Sequence, residues 1–122
     1  MSRISFGEYF KKLRLSKDKT QEEIANYIGK HKMLISGIEH GKNNPPKEED
    51  LKKIAFELNL DEEERMILFQ IAAYDRGTLP NEMVEYIIDN DIVFELIKTV
   101  KDNQFNTQQI KKLIDFCNEK VK

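Results

Sequence analysis

The chain has little of what metal, redox or nucleophilic chemistry requires. Its one cysteine, Cys117, can form no internal disulfide, which suits a reducing compartment. At an apolar position of a helical pattern, that residue is expected to be an inert core thiol. The two histidines, His31 and His40, have no acidic partner at ligand spacing, so neither a metal site nor a catalytic dyad is expected. No glycine-rich stretch matches a P-loop or dinucleotide loop, and an enzyme or a cofactor is not expected. Apolar runs stay well short of the roughly eighteen residues of a membrane span, and the opening MSRISFGEYF lacks a signal-peptide pattern. A cytoplasmic protein away from membranes is therefore expected. Nothing alternates with period two for long enough to argue a strand, so the fold class is all-α.

What is present is charge and helical periodicity. Charged residues make up 34% of the chain and apolar ones 39%, as in a helix-rich protein with a solvated surface. The net charge of −2 hides a division. Residues 1–46 hold nine Lys/Arg against five Asp/Glu, a balance of +4, and the remainder carries −6. A basic N-terminal unit followed by an acidic one suits a DNA-binding head with a non-binding body.

The most informative stretch is Thr20 to Gly41. Thr20 and Glu23 have capping-box spacing, Ile24 and Ile28 share an inward face, and small Ala25 lets a neighbouring helix approach. Gly29 supplies a stop with positive φ, after which a second helix carries Ile35 and Ile38 inward and stops at Gly41. Two short helices joined by a glycine turn predict a helix-turn-helix. Before it, Ser5 and Glu8 open a helix with Phe6, Phe10 and Leu13 inward. After it, Asn43-Asn44-Pro45-Pro46 forces a non-helical passage, and Glu48-Glu49-Asp50 opens a helix with Leu51, Ile54, Ala55 and Leu58 buried. Asp61 and Glu64 start another, with Ile67, Leu68, Ile71 and Ala72 on one face and Phe69 off it, facing the C-terminal helices. Pro80 is a first-turn proline for a helix with Met83, Val84, Ile87 and Ile88 apolar. Ile92 to Val100 continue at helical spacing, and Asn106 with Gln109 caps a last helix bearing Ile110, Leu113, Ile114, Cys117 and Val121.

Gln21-Glu22-Glu23-Ile24-Ala25, Ile28-Gly29 and Ile35-Ser36-Gly37-Ile38-Glu39-His40-Gly41-Lys42 together resemble the Xre/Cro family of bacterial and phage DNA-binding regulators, over roughly residues 4 to 60. The chain departs at Lys30, where the family has an apolar residue, at His31, where it has a Ser or Thr cap, and at the apolar pair Met33-Leu34. The resemblance implies a helix-turn-helix DNA-binding domain at 1–60, of four or five helices. The helical region at 61–122, rich in Ile, Leu, Val and Phe, is the candidate for dimerisation or partner contact, and with no flexible linker before it the two parts are expected to pack together. The resemblance also implies that Gln21 meets a DNA phosphate and that Lys42 and Asn43 grip the backbone. Lys32, Met33, Ser36 and Gly37 would face bases, the glycine through close approach only, with Lys30 and His31 toward phosphates. Arg14 and Glu39 would form a structural ion pair between the first and third helices.

The function expected is a sequence-specific transcriptional regulator, a repressor of phage, mobile-element or bacterial origin, binding double-stranded DNA as a homodimer. The rival is a protein-interaction module, an antitoxin or adaptor that holds a partner through the C-terminal helices. Lys30, Lys32 and Lys42 favour DNA, and Met33-Leu34 leaves room for the rival.

Overall fold

Local hydrogen bonds start and stop most of the helices in this chain. The computed structural model describes residues 4–120 and holds eight helices and no strand among them. They are α1 (Phe6–Ser16), α2 (Gln21–Tyr27), α3 (Lys32–Glu39), α4 (Glu48–Glu57), α5 (Glu62–Asp75), α6 (Asn81–Asp89), α7 (Asp91–Asp102) and α8 (Thr107–Lys120). Full capping boxes form at Thr20/Glu23 and Asp61/Glu64, and Asn106 and Gln109 exchange the same reciprocal bonds. Ser5 accepts from the Glu8 amide, which is half of the expected box. Pro80 immediately precedes α6 and is not in its first turn.

The chain divides into two compact units, 1–80 and 81–122. The first compact unit reaches past the segment 1–60 as far as Pro80. The reason is α5. Its Leu68, Phe69, Ile71 and Ala72 join the same buried cluster as Phe6 and Phe10 of α1, Ile24 of α2, Ile35 and Ile38 of α3, and Leu51, Ile54 and Leu58. Each such side chain contributes about 1.5–3 kcal/mol relative to exposure. Phe69, expected to face the C-terminal helices, is thus a core residue of the first unit, with the Arg65 guanidinium 4.9 Å from its ring centre. Polar contacts between α1 and α5 agree. Lys17 pairs with Glu64 at 3.2 Å. The Tyr9 phenol is held above its ordinary 10.0 first by burial and then by the charges of Glu64, Asp61 and Glu63.

The second unit contains α6, α7 and α8, and none of these helices has a buried residue. Of the apolar positions of α6, Met83 and Ile88 are exposed, and Val84 and Ile87 are half-buried. Cys117 is exposed as well, contrary to the expected core thiol. As arranged here, these three amphipathic helices enclose no interior among the described residues. Val121 lies outside the described residues.

Candidate nucleic-acid interface

The turn between α2 and α3 is set by backbone bonds. Gly29 takes φ +69°, which brings its amide to the Asn26 carbonyl and the Lys30 amide to the Ala25 carbonyl, at 3.2 and 2.8 Å. This paired closure ends α2 and redirects the chain at once. The same pair recurs after α3. Gly41 at φ +78° brings its amide to Ile38 and the Lys42 amide to Gly37. His31 occupies the N-cap of α3 in extended geometry but caps nothing with its side chain. The helix is held from behind by Ile35 and Ile38, both buried.

Behind α3 the structure holds a closed ionic network. Arg14 donates from Nε to Glu39 Oε2 at 2.7 Å and from Nη2 to Oε1 at 3.0 Å, and from Nη1 to the Lys19 carbonyl at 2.7 Å. Arg14 and Glu39 are both buried. Gln21 Nε2 donates to Glu39 Oε1 at 3.0 Å, so Gln21 is tied to α3 as well. An amide carries two N–H donors, and this bond uses one of them.

The outward face of α3 carries Lys32, Met33 and Ser36 at helical spacing. Lys32 and Met33 are exposed and Ser36 is half-buried. Around them Lys30, His31, Lys42 and Asn43 are exposed. Lys30, Lys32 and Lys42 make no ion pair among the described residues, whereas Lys17 and Lys19 are taken up by carboxylates. Gly37 has a role inside the chain: a Cβ there would lie 2.1 Å from Asn43 Nδ2. The close approach at Gly37 is that of the Asn43 side chain.

Three features were not read from the sequence. His40, passed over as a lone histidine, lies exposed one turn beyond Ser36 with Nδ1 2.7 Å from the Ser36 carbonyl; its i+4 spacing from Ser36 was the available signal. Gly7 lets α1 cross the end of α3, since a Cβ there would sit 2.5 Å from the Ile38 oxygen and 2.6 Å from that of Glu39. Arg76, at the C-cap of α5, donates from Nη2 to the carbonyls of Pro45 and Pro46, the latter at 2.6 Å. Its neighbour Asp75 accepts from the Phe6 amide at 3.2 Å. The end of α5 thereby ties down both the start of α1 and the loop that follows Lys42 and Asn43. No sequence signal marks these contacts.

Two short helices locked at a glycine turn, with the second turned outward among unpaired lysines, make a helix-turn-helix DNA-binding head. A helix-turn-helix family model matches residues 10–64. That segment of the chain is a helix-turn-helix domain of the Xre/Cro type, and the protein is a DNA-binding regulator in the general sense that this family defines. No curated protein matches the chain significantly. Among the described residues no helix is long and apolar enough to cross a membrane.

Proposed function

We propose that the protein is a sequence-specific transcriptional regulator, a repressor of phage, mobile-element or bacterial origin, that binds two-fold sites in double-stranded DNA as a homodimer. The observation that carries this reading is the outward face of α3, where Lys32, Met33 and Ser36 stand among lysines free of ion pairs. Unpaired lysines displace the counterions condensed on DNA phosphates, releasing them to solution, without first breaking a bond in the protein. Lys32 donates to guanine O6/N7, Met33 packs on a thymine methyl and Ser36 bonds either kind of base. Lys42, Asn43, Lys30, His31 and the free N–H of Gln21 hold the backbone and set the register. Two heads are needed because one recognition helix covers few base pairs. Repression is the simplest outcome, since occupying a promoter is sufficient.

The test is a salt titration on a duplex selected from a random pool and on a scrambled one. Lys42→Ala weakens both alike and lowers the salt slope by about one phosphate equivalent. Lys32→Ala costs about 1–3 kcal/mol on the selected site and relaxes the preference at one position. If Lys32→Ala weakens both duplexes equally, α3 is not the reader. If the wild type separates the two duplexes at no salt concentration, the antitoxin or adaptor reading replaces this one.

A further inference from the structure

We propose that helix α6 of a second copy of this chain seats in the apolar groove between α7 and α8, and that the exchange is reciprocal. The inference rests on the homodimer reading and names its surface. In the second unit Tyr86, Ile92, Phe94 and Phe116 are each more than half exposed, and no residue of α6, α7 or α8 is buried. A unit of about forty residues without an interior does not offset the entropy of ordering its chain, and such units are completed by association.

The groove has a volume of about 650 Å³ and is lined by Leu96, Ile97 and Val100 of α7 and Leu113, Ile114 and Cys117 of α8, with Lys101 also on its wall. No residue of α6 lines it. Only Asn90 separates α6 from α7, so α6 stays by the α7 N-terminus while the groove opens along the C-terminal half. Val84 and Ile87 of α6 are half-buried, whereas Met83 and Tyr86 are more than half exposed.

Charge selects the occupant. Residues 81–95 contain five acids and no Lys or Arg, and none of the five is ion-paired among the described residues. On α6, Glu82, Glu85 and Asp89 are spaced three and four apart, and therefore share a face beside Met83 and Tyr86. Lys101 is the one basic residue of the groove lining, and on α8 Lys111 and Lys112, between the lining residues Ile110 and Leu113 in sequence, are exposed and without an ion pair among the described residues. The unit thus holds an acidic amphipathic helix and an apolar groove with Lys101 on its wall and two exposed lysines next to its α8 lining in sequence. One copy cannot bring the two together, and two copies can do so twice. Reciprocal exchange of this kind closes as a two-fold dimer with no edge left for further growth.

The experiment measures mass by light scattering at micromolar concentration without DNA, for the full chain and two charge-reversed variants, Glu82→Lys/Glu85→Lys and Lys111→Glu/Lys112→Glu. The wild type is a dimer, and each variant alone self-associates at least tenfold more weakly. Their equimolar mixture regains wild-type strength, because one contact then has reversed signs and the other native ones. A chain carrying all four changes also dimerises as wild type, which guards against a variant that merely misfolds. A monomeric wild type, as expected if another protein fills the groove, overturns the proposal. So do variants that dimerise unimpaired, or a mixture or four-change chain that stays monomeric. A monomeric wild type removes the homodimer part of the proposed function as well, whereas the variant results bear on this surface alone; base reading by α3 is decided separately by the Lys32 and Lys42 titrations.

Discussion

Replacing Glu39 by alanine removes the carboxylate at the centre of the network that joins α1, α2 and α3. Its side chain is 1% exposed and that of Arg14 8%, so the change leaves a guanidinium in the interior with only the Lys19 carbonyl as partner. Gln21 loses its acceptor at the same time. Breaking one side of a buried pair costs about 3–5 kcal/mol, because the remaining charge is uncompensated. That is a large share of the roughly 5–15 kcal/mol that holds a domain folded. With a urea slope of about 1.5 kcal/mol/M, the unfolding midpoint falls by about 2–3 M. Circular dichroism of the full chain during urea titration reads this directly. Part of the loss is a cavity, and the double change Arg14→Met/Glu39→Leu separates the two effects. It removes both charges at similar volume and costs less than Glu39→Ala alone. A midpoint that moves by less than about 0.5 M in Glu39→Ala, or a double variant less stable than the single one, would refute the reasoning.

Gly7→Ala directs a methyl at two backbone oxygens of α3 that cannot rotate away. Overpacking of about 1–3 kcal/mol outweighs the roughly 1 kcal/mol of helix propensity gained, and a thermal midpoint at or above wild type contradicts this. Arg76→Ala frees the Pro45–Pro46 loop and weakens binding to any duplex through Lys42 and Asn43; a double-mutant cycle with Lys42→Ala in a binding assay is non-additive, and strict additivity would separate Arg76 from the loop's grip. The Glu23 carboxyl is held below its ordinary 4.5 by the Thr20 amide and then its hydroxyl. Its capping contribution is therefore present above that ordinary value and is lost as pH falls through the lowered one. A nuclear magnetic resonance titration midpoint for Glu23 at or above 4.5 removes that role.

The sequence by itself determined whatever is decided within a few residues. Thr20 with Glu23, Asp61 with Glu64 and Asn106 with Gln109 form reciprocal caps because donor and acceptor are three positions apart. Gly29 and Gly41 end α2 and α3 because positive φ is a property of the residue. Ile24, Ile28, Ile35 and Ile38 are buried as the 3.6 period requires. The pairing of Arg14 with Glu39 was available only through family resemblance, since neither spacing nor composition joins them. Tertiary structure alone decided the rest. Periodicity shows that α5 has an apolar face but not which core receives it, so neither the place of Phe69 in the first unit's core nor the inclusion of α5 in that unit is legible locally. The same limit turned Cys117 outward, because an apolar stripe is buried only if another element covers it. Asp75 meets Phe6 across 69 positions, and Arg76 meets Pro45 across 31. Contacts at such separations depend on how helices stack, a property of the packed chain that no local pattern encodes.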